Sequence, residues 1–326
     1  MMSLTAASQT TRFEANAPPR FRKLLIALDL TAISDRVLRR TALLALSDKA
    51  HVTVLHVVPE GLARGVREKA LRQAHNLLSE EVAVLRESLP KSVTVEVAVA
   101  VGNSVQVIVQ TARKLDAELI VMGRGAGHRL REAFVGSSAE RVVRAVLRPV
   151  LVVRTPAHAH YKKPALALAF DDAAPQTLGF MHRVLATPPA RVAVIHAVET
   201  TYHGIAYSSL SREDAEDLDG EHELRVGPKI ARLFARQSER SYSPAALRWK
   251  PHVRSGSARF VIEKAVQRVN ADLLVLGTAA RTGVAHILLG TVAGDVLRAV
   301  SCDVLLVPRE PKPALPKPQQ SAHAGS

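Results

Sequence analysis

The sequence predicts an α/β fold built twice in tandem. Three observations carry this. Residues 117–153 (AELIVMGRGAGHRLREAFVGSSAERVVRAVLRPVLVV) and 271–307 (ADLLVLGTAARTGVAHILLGTVAGDVLRAVSCDVLLV) repeat one unit: apolar strand, glycine-bearing loop, helix, strand. Gly123 matches Gly277 and Gly136 matches Gly290 at one offset of 154, which marks a duplication. Short Val-, Leu- and Ile-rich runs alternate with amphipathic stretches through both halves, the pattern of βα units in a parallel sheet covered by helices on both faces. Aromatic residues are 4% of the chain against 47% hydrophobic, so the cores are aliphatic, as suits strands buried on both sides.

The elements follow in order. The first half places strands near 23–29, 51–58, 93–100, 118–122 and 150–154, with helices near 33–47, 63–88, 104–115 and 138–147. The second places strands near 164–170, 191–197, 245–253, 272–276 and 303–307. KLLIALD, ending at Asp29, is matched by ALALAFD, ending at Asp171; Val54-Leu55-His56-Val57 is matched by Val194-Ile195-His196-Ala197, and Val101-Gly102-Asn103-Ser104 by Ser255-Gly256-Ser257-Ala258. The offset is 142 at the Asp pair and 154 again at Gly102 and Gly256. The second half therefore carries an insertion, about 199–243, that holds the acidic run REDAEDLDGEHE. Polar residues 1–20 read as a disordered arm and Pro-rich 310–326 as a disordered tail, leaving domains 21–156 and 162–309.

Composition excludes several function classes. The single cysteine, Cys302, rules out a disulfide framework and argues against a thiolate metal site. No stretch reads as a signal peptide or membrane span, so a cytoplasmic protein is expected. The net charge of +14 comes from 44 basic and 30 acidic residues spread along the chain. That balance favours anionic partners but reads first as a solvated basic surface. Few aromatics and the lack of a DNA- or RNA-binding motif argue against nucleic acid. No GxSxG, HExxH or supportable Ser–His–Asp set is present, so an enzyme is not indicated, with slow turnover of a bound ligand left open.

The repeated unit has the makeup of a phosphate site. In open parallel sheets, ligands sit beyond the carboxyl ends of the strands where strand order reverses. Asp29 ends the first strand and Gly123 the fourth; as neighbours they would face one crevice. Glycine lets backbone approach a ligand, and a helix N-terminus favours an anion. Ser137 and Ser138 could add hydroxyl donors at the start of the next helix. There is no Walker loop, and Gly123-Arg124-Gly125-Ala126-Gly127 follows a late strand, unlike a dinucleotide fingerprint.

The pattern G-x-x-G, nine residues, G-[S/T], after an apolar strand and before a last helix and strand, resembles that of the universal stress proteins. The opening strand ending in Asp and the LHVV and IHAV runs resemble it too, across both halves. A tandem two-domain member of that family implies five-stranded parallel sheets of order 3-2-1-4-5 (adenine-nucleotide-hydrolase-like, Rossmann-like). It also implies a pseudo-dimer of the two halves, often through the last strands, and a homodimer is open. The family contains ATP-binding and non-binding classes. For ATP, with or without Mg²⁺, the resemblance implicates Asp29, Val57, Met122, Gly123, Gly136, Ser137 and Ser138. In the second half it implicates Asp171, Ala197, Leu276, Gly277, Gly290, Thr291 and Val292. The second glycine of G-x-x-G is replaced by Ala126 and Ala280, whose methyl groups either crowd the phosphate or forbid φ > 0 if the loop needs it. Gly125, Gly127 and the basic Arg124, His128, Arg129 and Arg131 make the first half the better site; the second has only Arg281 near its loop.

Structural roles stand beside these. Ser137 and Glu140 form an S-x-x-E capping box. Asp29 and Asp171 either contact adenosine or cap the following helix. His56 and His196 read as buried, hydrogen-bonded histidines, and His158 and His160 of the linker as weak metal candidates. Cys302 reads as packing, and the acidic 212–223 run, lacking calcium-loop spacing, as a solvated loop or helix face. Two functions follow: a stress-response sensor or regulator that binds ATP through the first glycine loop, or an interaction scaffold whose loops are structural only, each with an unknown protein partner.

Overall fold

The computed structural model describes residues 20–31, 34–125, 138–171, 173–186, 191–198, 212–240, 248–278 and 290–309. The arm up to residue 19, the tail, both alanines Ala126 and Ala280, and Gly136, Ser137 and Arg281 lie outside them. The first half runs β1 (Phe21–Leu28), α1 (Ser34–Ala42), β2 (Leu46–Val58), α2 (Arg64–Ser88), β3 (Thr94–Val101), α3 (Ser104–Leu115), β4 (Leu119–Gly123), α4 (Ser138–Ala145) and β5 (Val150–Val153). The second runs β6 (Pro164–Ala167), α5 (Ala174–Val184), β7 (Val192–Val198), α6 (Arg212–Arg240), β8 (Trp249–Ser255), α7 (Ala258–Val269), β9 (Leu273–Thr278), α8 (Thr291–Ala299) and β10 (Asp303–Pro308).

Each half has strand order 3-2-1-4-5, and the two join into one sheet of ten strands, β3-β2-β1-β4-β5-β10-β9-β6-β7-β8. The expected pair of sheets is thus a single mixed sheet, parallel within each half and antiparallel at β5 and β10. At that seam Val152 pairs with Val304, Leu151 with Leu305 and Val150 with Leu306. Under the 154-residue offset Leu151 meets its own counterpart and the flanking pairs exchange, the self-complementary signature of a two-fold interface.

Alternation along the strands sorts the core. Leu24, Ile26 and Leu28 join a cluster beneath α1, α2, α5 and α6, whereas Leu25 and Ala27 join another beneath α3, α4, α7 and α8. Both clusters cross the seam, through Leu151 and Leu305 on one face and Val152 and Val304 on the other. Phe21, Tyr161 and Phe234 are the buried aromatics among the described residues, so the core is aliphatic as its composition requires. The turns before α3 and α7 repeat as well. Gly102 (φ 154°) and Gly256 (φ 139°) hold equivalent positions, and a Cβ on Gly102 would come 2.9 Å from a Val107 methyl. The helices they open end at equivalent left-handed caps, Asp116 and Asn270.

Three local expectations are corrected. The helix expected over 33–47 stops at Ala42, and β2 begins at Leu46. The apolar Leu43–Leu46 run looks like a continued helix face, but Phe21 N–H donates to Ala45 O (2.9 Å) and Phe21 pairs with Leu46, so tertiary pairing captures it as strand. β6 is four residues long, not seven, although Leu168 N–H still bonds Ile195 O (2.9 Å). The acidic run lies in α6 and is not wholly solvated: Asp219 is buried, accepts from Ser255 N–H (3.0 Å) and pairs with Arg254 (3.2 Å).

One buried carboxylate ties the halves together. Asp303, fully buried at the start of β10, accepts at Oδ1 from Arg154 N–H (2.8 Å), Thr155 N–H (2.9 Å) and the Thr155 hydroxyl (2.9 Å). Its Oδ2 accepts from the Tyr161 hydroxyl (2.7 Å) and lies 3.3 Å from the buried Arg40 guanidinium, itself stacked over the Tyr161 ring. Arg154 donates to the carbonyls of Leu297 and Val300, where a cation meets the carboxyl end of α8. Burial, then Asp303, pushes the neighbouring Cys302 thiol up to about 12, so it stays protonated and packs as a small apolar group. Replacing Asp303 by Ala leaves Arg40 buried without its counter-ion, and about 3–5 kcal/mol of stability should be lost. Urea unfolding monitored by circular dichroism checks this; a loss under about 1 kcal/mol would mean that the network holds nothing together.

Candidate functional site

Because β1 pairs with both β2 and β4, the carboxyl ends of β1 and β4 are adjacent, with Ala27 beside Met122. Strand order reverses there, and a crevice of about 480 Å³ opens. Asp29, Val57, Met122, Gly123 and Ser138, which the family resemblance implicates, all line it. Gly136 and Ser137 lie outside the described residues. The equivalent crevice of the second half, about 520 Å³, is lined by Asp171, Ala197, Leu276, Gly277, Gly290, Thr291 and Val292, the whole expected set. Both volumes are of small-molecule size.

Asp29 closes a turn before α1 and walls the crevice; its bonds are to Thr31, three residues ahead of the helix. Its Oδ1 accepts from Thr31 N–H (3.2 Å) and the Thr31 hydroxyl (2.7 Å), while Oδ2 takes no partner among the described residues. Leu30 between them sits at φ 55°, a left-handed conformation uncommon for leucine, so the turn holds the carboxylate at some backbone strain. Asp171 repeats the turn by accepting from Ala173 N–H at 3.1 Å, and since Ala173 is the cap residue of α5 and that helix has no side-chain cap, the expected capping role of Asp171 is not realised. A carboxylate has two oxygens, so the turn bond and ligand contact do not compete.

The histidines do more than fill the core. His56 and His196 are half-buried, and each lines its crevice. His56 Nδ1 lies 2.9 Å from Leu28 O, and His196 Nδ1 lies 2.8 Å from Leu168 O. A carbonyl only accepts, so Nδ1 carries the hydrogen and the neutral ring keeps Nε2 as an acceptor. The two rings thus fasten β2 to β1 and β7 to the chain after β6 at the crevice floor. Among the described residues no group of three or more His, Cys, Asp or Glu gathers as a metal site.

Backbone supplies the remaining walls. Gly125 has φ 82°, a conformation glycine adopts freely, and a Cβ there would meet Ser138. A Cβ on Gly277 would come 3.1 Å from the buried Thr177 hydroxyl. At α8 the cap is Gly290, with no side-chain cap, and Gly294 N–H makes its helical bond to Gly290 O at 3.1 Å. The N–H groups of Thr291, Val292 and Ala293 precede that bond and are the donors a helix leaves for an anion.

Sequence reading missed two features. Glu140 is buried at the crevice end of α4, and its Oε1 accepts from Arg144 (3.0 Å) and from Arg298 of the other half (2.6 Å). Nothing in the local pattern announces a partner 158 residues away. Beside the second crevice, α6 places Lys229, Arg232 and Arg236 around a further cavity of about 550 Å³ that shares Asp171 and Ala174 with it. Their spacing of three and four marks one helix face, a signal visible in the sequence.

Comparison with known proteins follows the duplication. The Universal stress protein family model matches residues 20–154 and again 160–308. Universal stress protein A homolog 2 of Coxiella burnetii is 31% identical over 150 residues, spanning 45% of this chain and 95% of that protein. Universal stress protein YxiE of Bacillus subtilis is 26% identical over 150 residues, spanning 41% of this chain and 99% of its own. A universal stress protein structure from Archaeoglobus fulgidus matches with a TM-score of 0.60 at 18% identity, covering 88% of this chain and 96% of that one, so the likeness of fold runs through both halves.

The histidine geometry sets a measurable state. At pH 8, long-range ¹H–¹⁵N correlation spectra should show His56 and His196 as Nδ1–H tautomers. A His56→Phe variant should lose about 1 kcal/mol with the removed hydrogen bond. Nε2–H tautomers at both positions would contradict the assignment.

Proposed function

Since the chain belongs to the universal stress protein family and carries its domain twice, we propose that it is a cytoplasmic stress-response protein that binds an adenine nucleotide, ATP by preference, through the first-half crevice. The domains are residues 21–156 and 162–309. The observation that carries the reading is the Asp29 carboxylate, one oxygen held in the Thr31 turn and the other without a partner among the described residues at the crevice. A free carboxylate oxygen accepts from an adenine amino or ribose hydroxyl group.

The other walls fit that ligand. Leu55, Val57, Ile108 and Met122 offer an apolar slot for a base. Gly123, Gly125 and Ser138 bring backbone and a helix start close to where ribose and phosphates would lie. Arg124, next to Gly125, adds positive charge, and Mg²⁺ would accompany the phosphates. The second crevice repeats the plan, with the unshielded N-terminus of α8 as its anion-binding end. Binding and signalling, not turnover, is the activity assigned. Such a protein would act as a sensor when a partner reads the occupied state, and the partner proposed here is a protein of unidentified nature.

Replacing Asp29 by Asn separates the roles. The amide oxygen can still accept from Thr31, whereas the free carboxylate oxygen is gone. Isothermal titration with ATP and Mg²⁺ should show binding by the intact protein and a Kd about tenfold higher for Asp29→Asn, or about 1.4 kcal/mol, with the melting temperature little changed. No heat from the intact protein at millimolar ATP, with no nucleotide retained on purification, would leave the interaction scaffold as the better account.

A further inference from the structure

The cavity beside the second crevice has a chemistry of its own. Lys229, Arg232 and Arg236 lie along one exposed face of α6 and wall about 550 Å³ together with Phe170, Pro175, Leu233 and Asp171 of the second crevice. None of the three makes a salt bridge with a carboxylate among the described residues; Arg232 Nε donates to Pro228 O at 3.3 Å, leaving its two terminal nitrogens. Phe170 is 39% exposed, with the Lys229 ammonium 5.9 Å from its ring and the His196 ring 4.7 Å away. Asp171 is the one carboxylate lining the cavity among the described residues, so three cations face a single anion and a net positive charge is left over an apolar floor.

The first half shows that the fold does not require them. The buried residues of α2, Ala74, Leu78, Val82 and Leu85, fall in step with Val226, Ile230, Phe234 and Gln237 of α6 at an offset of 152. At that offset Lys229, Arg232 and Arg236 stand where the first half has Leu77, Glu80 and Val84. Phe170 stands where the first half has the buried Leu28, at the 142-residue offset of the Asp pair. The cation cluster and its aromatic floor therefore belong to the second half alone.

We propose that this cavity is a binding site for a phosphate-bearing small molecule, separate from the anion-binding end of α8 in the adjoining crevice. Guanidinium groups take phosphate oxygens in paired hydrogen bonds, and the ammonium adds a point charge. Phe170, Pro175 and Leu233 carry the apolar part of such a molecule. The site does not depend on whether either crevice binds ATP.

Tripolyphosphate is the probe, titrated calorimetrically into the intact protein at about 0.15 M salt, where diffuse attraction is screened beyond about 8 Å. Saturable binding is expected, weakened at least tenfold in the Lys229→Gln/Arg232→Gln/Arg236→Gln variant. All three side chains are exposed, so the variant should keep its far-ultraviolet circular dichroism. A Lys69→Gln/Arg72→Gln/Lys91→Gln variant removes the same charge from the first half and should bind within twofold of the intact protein. Thr291→Asp, which sets a negative charge at the start of α8 and removes any tripolyphosphate held there, should keep the binding that the α6 variant loses. Absence of saturable binding, equal loss in the two triple variants, or loss in Thr291→Asp with retention in the α6 variant would each overturn the assignment.

Discussion

The antiparallel pairing of β5 with β10 is the constraint on which the rest of the molecule depends. Each half alone would end its sheet in a strand of four or six buried residues with an unpaired edge. Joined, the edges satisfy each other, and Val150–Val153 and Asp303–Pro308 become the middle of one sheet. Their continuous Val and Leu content, without alternation, is what a strand covered on both faces needs. The antiparallel sense has a consequence for function. The carboxyl ends of the strands point opposite ways in the two halves, so the two crevices open at opposite edges of the common sheet.

The seam is symmetric in its strand pairs but not in its polar contacts. At the 154-residue offset Asp303 corresponds to Pro149, which cannot accept anything at its side chain. The buried carboxylate therefore occurs on one side only, gathering Arg40 and Tyr161 from the first half and the linker. Towards the other end of the seam, Arg183 pairs with Glu118 (2.5 Å) and packs over Phe21. A homodimer must repeat every contact, so an ion pair on its axis would be doubled. Fusing two copies in one chain removes that requirement and lets each end of the seam acquire its own chemistry.

What was legible in the sequence was whatever is periodic or repeated. Strand runs, helix faces, the Asp at the strand end and the matched glycines are local patterns, and they place the fold and both crevices. Features set by which element crosses which were not legible. Leu43–Leu46 has a helical pattern and becomes strand because Phe21 lies opposite. Asp219 sits in an acidic run that reads as solvated and is buried because β8 passes beneath it. Glu140 reads as half of a capping box, yet its carboxylate also reaches Arg298 of the other half. In each case the local signal is real, and a partner far along the chain decides its use.

The two crevices show how a duplicated site can diverge without losing its frame. Sheet order fixes where they open, and the strand-end Asp and histidine recur with nearly the same hydrogen bonds. Those groups are set by backbone geometry that neither half can change without disturbing its central strands. Helix faces toward solvent carry no such burden: α2 and α6 bury equivalent positions while their outer faces differ in charge. Divergence at an exposed helix face costs little folding energy, since surface substitutions away from caps and buried pairs are usually within about 0.5 kcal/mol. Selection for a second ligand would therefore act first on α6, next to a crevice the fold already provides.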